Sequence, residues 1–121
     1  MMKIFLGDLV HTWGKGGIWT IPLNAGYVAS YAIKNLSEVG IDCDVRIFKD
    51  PIKMLNAIKS EKPDVVGLVY YVWNTNLNNR VFRAVKEHVP NCLTIGGGPC
   101  FTNHNLDYDS VESFFFEHKD C

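Results

Sequence analysis

The residues best suited to ligand chemistry lie in three stretches of this chain, each at or directly after the carboxyl end of a predicted strand. The first holds Asp8, His11 and Trp13, the second runs over 70–77, and the third is 96–99. A connector that only turns the chain favours Gly, Pro, Asp or Ser, whereas the second stretch holds two tyrosines, a tryptophan and two asparagines. Because open α/β sheets bind ligands at the carboxyl ends of their strands, we expect the stretches to line one crevice.

Each stretch also allows a simpler interpretation. His11 could ligate a metal ion with Asp8 orienting its ring, or it could be a solvated histidine in a loop. Trp13, Trp19 and Trp73 could line an apolar cofactor cleft, or they could cover the edge of the sheet as ordinary hydrophobic side chains. The glycines at 96–98 permit either a tight turn or the close approach of a ligand to the backbone.

Several familiar site types are excluded by spacing. Gly14-Lys15-Gly16 has the wrong third residue for a phosphate-binding P-loop, and the chain contains no G-x-G-x-x-G. A phosphorelay receiver needs an aspartate at the end of its third strand, where this chain has Tyr70 and Tyr71. Acid–base catalysis by paired carboxylates lacks candidates, since Asp8 is the single acidic residue predicted at the crevice.

The composition predicts one folded domain, and without a signal-peptide pattern we expect it to be cytoplasmic. The chain has 121 residues, 47% of them hydrophobic, and a net charge of −1. Its Lys and Arg residues are scattered, which argues against a nucleic-acid or membrane partner, and no signal-peptide pattern occurs at the N-terminus. We expect reduced thiols rather than a zinc site, because the cysteines match no common zinc spacing; they are Cys43, Cys92, Cys100 and Cys121.

Strand and helix patterns alternate four times. Strands are predicted at 3–10, 43–48, 64–69 and 92–95, and helices from Pro22, from Asp50-Pro51, over 77–88 and over 110–118. The helix residues expected to face the core are Leu23, Val28, Tyr31, Ala32, Leu36 and Val39, then Ile52, Leu55 and Ile58, then Leu77, Val81, Ala84 and Val85.

Such alternation predicts an α/β fold with three layers, a flavodoxin-like (Rossmann-like) parallel sheet in strand order 2-1-3-4. We interpret 1–121 as a single domain without internal linker or repeat. A fifth strand would be expected after the fourth helix, so we interpret the chain as a fragment of a longer protein. Strand 4 would then have an open edge, through which two copies could pair as a dimer.

Four segments, in order along the chain, resemble one known family. The chain is similar to the N-terminal cobalamin (B12)-binding domain of B12-dependent radical S-adenosylmethionine (radical SAM) proteins. The segments are 21–31 (IPLNAGYVASY), 62–67 (KPDVVG), Tyr71-x-Trp73-Asn74 followed by Asn76-Leu77, and Gly97-Gly98-Pro99. The resemblance covers most of the chain between about positions 3 and 118.

The resemblance implies a corrin ring lying across the carboxyl ends of the strands, with its nucleotide tail entering a crevice beside strands 1, 3 and 4. It implies that Tyr71, Trp73, Asn74 and Leu77 face the cofactor or the next domain, and that Gly97 and Gly98 make room for the tail. With the loop residues, the candidate cofactor-binding set is Asp8, His11, Trp13, Tyr71, Trp73, Asn74, Leu77, Gly97, Gly98 and Pro99; no catalytic residue is assigned.

The sequence departs from relatives in which a histidine ligates cobalt. The methyl-carrying domain of methionine synthase, a more distant relative, has D-x-H-x-x-G, and this chain has one residue too many between Asp8 and His11. Val69 replaces the serine that helps hold the tail in that relative. Many radical SAM relatives leave the lower face of cobalt without a protein ligand, and we expect the same here.

The resemblance also implies a partner domain. A radical SAM catalytic domain binds its iron–sulfur cluster through C-x-x-x-C-x-x-C, which these 121 residues do not contain. The chain would therefore hold cobalamin for a catalytic domain elsewhere in a parent enzyme. That catalytic domain would bind the iron–sulfur cluster and S-adenosylmethionine. Two alternatives stay open: a non-catalytic Rossmann-like interaction or substrate-gating domain that has lost cobalamin, and a flavin-binding domain, which would need a Ser/Thr-rich loop after strand 1.

Overall fold

A computed structural model describes residues 1–11 and 21–101 of the chain, without the side chain of Phe101. Two predictions, Trp13 as a site residue and the helix at 110–118, lie outside these residues. None of the helices in the described ranges is long and apolar enough to cross a membrane.

Four parallel strands form the central sheet in the order β2-β1-β3-β4, which confirms the predicted topology. The strands are β1 (Met2–Gly7), β2 (Cys43–Phe48), β3 (Val65–Val69) and β4 (Leu93–Gly97). β1 is shorter than predicted, because the chain after Gly7 leaves the regular ladder while the N–H groups of Asp8 and Val10 still bond to the end of β2 and the residue after it. β4 is longer and includes two of the three glycines.

Three α-helices connect the strands: α1 (Leu23–Glu38), α2 (Pro51–Glu61) and α3 (Thr75–His88). The Asp50 carboxylate caps α2 as predicted, accepting hydrogen bonds from the N–H groups of Ile52 and Lys53 at 2.8 and 3.3 Å. Gly40 ends the first helical segment with φ +77°, a conformation that L side chains rarely adopt. A short 3-10 helix, Pro99–Phe101, follows β4.

One face of the sheet is well covered by α2 and α3. Phe5 of β1 and Val66 and Leu68 of β3 are buried there, against Ile58 of α2 and Phe82 of α3. The predicted stripe of α2 is wrong at Ile52, which is 61% exposed, while Met54 is buried in its place. The α3 stripe is confirmed at Val81 and Val85.

The other face is covered on one half only. Helix α1 packs over β2 and β1, where Ala25 and Ala29 bury Ile4 and Leu6. On β4, Leu93 and Ile95 pair in register with Val65 and Gly67 of β3, so they lie on this same face. They are 57% and 51% exposed, so the described residues leave the β3–β4 half of the face open.

The predicted core face of α1 is wrong at four of its large side chains, although Leu36 is half-buried and packs against the core as expected. Leu23, Val28, Tyr31 and Val39 are all exposed, whereas the buried residues of α1 are Ala25 and Ala29. A helix with small residues at this spacing can approach a sheet closely, so its larger apolar residues lie on the outside. The helix therefore presents apolar surface beside the open half of the sheet.

An ionic cluster closes the β2 edge of the core. The Arg46 guanidinium lies 4.4 Å from the centre of the Phe5 ring and pairs with Glu61 and Asp44. The hydrogen bond from Arg46 is the main cause that lowers the pKa of the Glu61 carboxyl, with smaller opposition from desolvation. Arg46 thus covers an aromatic core residue while its charge is balanced by acidic neighbours.

Candidate functional site

Asn74 connects the carboxyl ends of β1 and β3. Its side-chain amide donates to the carbonyl oxygens of Leu9 at 3.1 Å and Val69 at 3.0 Å, and its Oδ1 accepts from the N–H of Tyr71 at 2.8 Å. The side chain is fully buried. Asn74 therefore fixes the backbone around the candidate site, and its side chain points into the protein rather than toward the crevice.

Asn78, one helical turn later, supports the same junction. Its amide nitrogen donates to the Val69 carbonyl at 2.9 Å and to Asn74 Oδ1 at 3.3 Å, and the side chain is fully buried. Two asparagines on one face of α3 therefore bind the end of β3. Asn74 and Asn78 thus stabilise the junction between β3 and α3.

Tyr70 of the connector is fully buried in the core, whereas Tyr71 and Trp73 lie closer to the surface. The rings of Tyr71 and Trp73 stack with their centroids 4.5 Å apart and 7° between their planes. Tyr71 accepts a hydrogen bond from Asn24 of α1 on its hydroxyl at 3.3 Å, and Trp73 is 57% exposed. This stacked pair spans from the start of α1 to the loop after β1.

His11 lies against this aromatic pair rather than against Asp8. Its Nε2 is 2.9 Å from the carbonyl oxygen of Trp73, so that nitrogen carries the proton and donates. Asp8 is buried and pairs with Lys49 at 3.3 Å. The described contacts therefore give His11 an orienting partner, Trp73, other than the one expected.

The third stretch contacts the second through the backbone. The N–H of Tyr70 donates to the Gly97 carbonyl at 2.6 Å, and the N–H of Cys100 donates to the Tyr70 carbonyl at 3.3 Å. Gly98 has φ +122°, and a Cβ there would lie 2.8 Å from the Tyr70 carbonyl oxygen. Glycine is required at this position by the backbone itself.

A groove of about 200 Å³ opens at the carboxyl ends of β1, β3 and β4, beside the first turns of α1. Its residues are mainly apolar or glycine: Leu6, Asn24, Ala25, Val28, Gly67, Leu68, Val69, Ile95, Gly97 and Gly98. A Cβ added to Gly97 would meet no atom within 4 Å. The missing side chain at Gly97 therefore leaves space in the groove itself, unlike at Gly98.

A second cavity, of about 340 Å³, lies at the opposite end of the sheet between the end of α1 and the start of β2. It is the larger of the two, and its lining residues, among them Gly40 and Ile41, lie away from the carboxyl ends of the strands. The parallel sheet concentrates its loops and polar junctions at the carboxyl end, so we take the 200 Å³ groove as the candidate site.

The structure separates the predicted site residues into groups. Tyr71 and Trp73 lie beside the groove with His11, and Gly97 and Gly98 line it. Leu77 packs against the core covered by α2 and α3, and Pro99 begins the 3-10 helix. Within the described ranges, no cluster of three His, Cys, Asp or Glu residues could hold a metal ion.

The sequence did not predict that α1 lines the groove. Asn24, Ala25 and Val28 of α1 all line it. The sequence predicted only that the large apolar residues of this helix, Val28 among them, would face the core. Gly67 was also missed, although a lone glycine inside a strand often marks close approach of another group. A Cβ at Gly67 would lie 2.9 Å from Leu6 Cδ2, so the Leu6 side chain occupies the space that a larger residue at position 67 would need.

The fold and groove define a three-layer α/β protein with one apolar, glycine-lined site at the strand ends. No family model matches the chain. It is similar to the 2-(S-pantetheinyl)-carbapenam-3-carboxylate methyltransferase of Streptantibioticus cattleyicolor, 32% identical over 98 residues, which are 77% of this chain and 14% of that protein.

It is also similar to TokK of Streptomyces tokunonensis, a protein named as a cobalamin-dependent radical SAM methyltransferase. That similarity is 32% identity over 84 residues, 65% of this chain and 12% of the relative. The chain therefore spans only a small part of the length of the curated relatives it matches.

Proposed function

We propose that this chain is a cobalamin-binding module that holds B12 for a radical SAM catalytic domain belonging to the same parent enzyme. The observation that supports this most directly is the apolar groove at the strand ends, with its space at Gly97. The similarity to a cobalamin-dependent radical SAM methyltransferase supports it independently.

The groove has the size of part of a cofactor rather than a whole one. An apolar cavity of about 150 Å³ can hold a benzene ring, and complete drug-sized ligands occupy about 300–1,000 Å³. A groove of about 200 Å³ therefore suits one flat ring system, such as the base that ends the nucleotide tail of cobalamin. The larger corrin would remain outside, across the strand ends.

Different described residues would contact different parts of the cofactor. Gly67, Val69, Ile95 and Gly97 would contact the flat base through backbone and methyl groups, with Ala25 and Val28 on the α1 side. Tyr71 and Trp73 would meet the corrin at the surface, held by Asn74 below. Bound cobalamin would supply a cobalt that carries a methyl group, while the chain's own residues orient the cofactor and exclude water.

We propose that methyl transfer, iron–sulfur chemistry and S-adenosylmethionine belong to the parent enzyme's catalytic domain. His11 is not needed as a cobalt ligand in this proposal, since its Nε2 donates to Trp73. The alternative of a non-catalytic interaction or substrate-gating domain has one observation in its favour. The exposed residues Leu23, Tyr27 and Tyr31, four apart along α1, give that helix an apolar outer face.

The experiment mixes the purified chain with hydroxocobalamin, removes free ligand by desalting, and records the visible spectrum. We expect retained corrin absorbance for the unaltered chain and its loss in Gly97→Leu, whose side chain would fill the groove. Gly26→Leu is the matched control, because a Cβ at Gly26 also meets no atom within 4 Å and Gly26 is outside the groove. Absence of retention by the unaltered chain would refute the proposal and favour the interaction domain.

A further inference from the structure

Two polar side chains meet beside an otherwise apolar groove. Asn24, in the first turn of α1, lines the groove and donates from Nδ2 to the hydroxyl oxygen of Tyr71 at 3.3 Å. Asn24 is exposed and Tyr71 is half-buried, so both side chains retain surface that is accessible from solvent. The contact links α1 to the connector after β3, 47 positions later in the chain.

The backbone and the ring of Tyr71 are held in place by several contacts. The backbone N–H of Tyr71 donates to Asn74 Oδ1 at 2.8 Å, and its carbonyl accepts from Thr75 Oγ1 at 2.9 Å. Its ring is stacked on Trp73. Because backbone and ring are both fixed, little conformational entropy is lost when the hydroxyl binds a ligand.

The hydrogen-bonding capacity that remains at this pair is specific. The Tyr71 oxygen accepts from Asn24, so its own O–H proton is available to donate. Asn24 uses Nδ2 in this bond, and no described residue donates to its Oδ1. The pair therefore offers one donor and one acceptor next to each other, at the mouth of the groove.

A primary amide complements this arrangement, because its carbonyl accepts from the Tyr71 O–H while its NH₂ donates to Asn24 Oδ1. A carboxylate has acceptors only and would place an oxygen against Asn24 Oδ1. The rim of a corrin ring carries several primary amides. We infer that the Asn24–Tyr71 pair binds a rim amide of the corrin and discriminates it from a carboxylate; this inference rests on the proposed cobalamin function.

The test uses two corrins that lack the nucleotide tail. Dicyanocobinamide keeps the rim amides, and dicyanocobyrinic acid carries carboxylic acids in their place. Dissociation constants for both are measured by visible absorbance titration with the unaltered chain, Tyr71→Phe and Asn24→Asp. Tyr71→Phe keeps the stacked ring, and Asn24→Asp removes the donor to Tyr71. Tyr27→Phe is the control, since Tyr27 is 68% exposed on α1 and outside the groove lining.

We expect the unaltered chain and Tyr27→Phe to prefer the amide corrin. Tyr71→Phe should bind dicyanocobinamide about five- to tenfold more weakly and show a smaller preference for it, and Asn24→Asp should also bind it more weakly, because the new carboxylate would accept the Tyr71 O–H that the rim amide needs. Circular dichroism verifies that each variant is folded. An unchanged dissociation constant in folded Tyr71→Phe would overturn the inference alone, while failure of the unaltered chain to bind either corrin or hydroxocobalamin would overturn the proposed function with it.

Discussion

The side-chain amide of Asn74 donates a hydrogen bond to the carbonyl oxygen of Leu9, 65 positions earlier in the chain. This bond joins the loop after β1 to the connector after β3, the two neighbouring strands whose ends form one wall of the groove. The same amide also bonds to Val69 at the end of β3. One buried side chain therefore holds the loop after β1 and the end of β3 together beneath the groove.

Replacing Asn74 with Ala should lower the free energy of unfolding by about 3 kcal/mol, because buried groups of Leu9, Val69 and Tyr71 would lose their partner. Urea unfolding followed by tryptophan fluorescence measures the change. Asn76→Ala is the control, since Asn76 is exposed on the same helix, and should alter stability by less than about 0.5 kcal/mol. Equal effects at both positions would contradict this role of Asn74.

The two adjacent glycines at the end of β4 should respond differently to alanine. Gly98→Ala should destabilise the fold by about 1–3 kcal/mol, because its φ of +122° and the nearby Tyr70 backbone both disfavour a Cβ. Gly97→Ala should change stability little, because its Cβ would enter open space. Thermal unfolding of the two variants decides the matter, and a larger loss for Gly97→Ala would show that the groove is closed in solution.

The Glu61 carboxylate should contribute stability that depends on pH. Arg46 lowers the pKa of Glu61 in the folded chain, so the contribution is present above the unfolded-state pKa and is lost as pH falls through the folded-state pKa. Urea midpoints for the unaltered chain and Glu61→Gln should therefore differ at neutral pH and converge in acid, once the pH lies below the lowered pKa of Glu61. A difference between the two midpoints that stays constant from neutral pH into acid would disprove the linkage.

His11→Ala should leave the visible spectrum of the cobalamin-loaded chain unchanged. Nε2 of His11 donates to the Trp73 carbonyl, so in this conformation that nitrogen has no lone pair for cobalt. The measurement compares band positions of the two loaded proteins at equal cobalamin content. A shift of the bands on removing His11 would show that the histidine is a ligand.

Self-association through β4 stays a prediction from its position at the edge of the described sheet. An unpaired strand edge exposes backbone donors and acceptors to a second copy. Light scattering over a concentration series should give a mass that rises toward that of a dimer. A constant monomer mass at high concentration would count against pairing through this edge.

The strand order was accessible from the sequence, because four apolar runs separated by helical patterns leave few right-handed topologies. Asp50 and Pro51 were identified as the start of α2 because cap chemistry is local. The face of α1 was not accessible in the same way. Its sequence contains both a stripe of small residues and a stripe of large ones, and hydrophobicity alone favours the large stripe.

The candidate site was predicted in position but not in detail. Two sequence features indicated the correct edge of the sheet. They are the change from apolar to aromatic residues at Tyr70 and the three glycines after Ile95. The burial of Asn74 and the bond between Asn24 and Tyr71 depend on contacts between residues far apart in the chain. Local sequence patterns do not report contacts between distant residues, so Asn74 was predicted to face a ligand.

The open half of the sheet face has a thermodynamic consequence. Leu93, Ile95 and the glycine-lined groove form apolar surface that the described helices do not remove from water. Any molecule that binds the folded sheet there, and not the unfolded chain, adds to the folding free energy, by about 2.7 kcal/mol at a hundred times its dissociation constant. The melting temperature should therefore rise with the concentration of any molecule that binds this open half of the sheet face.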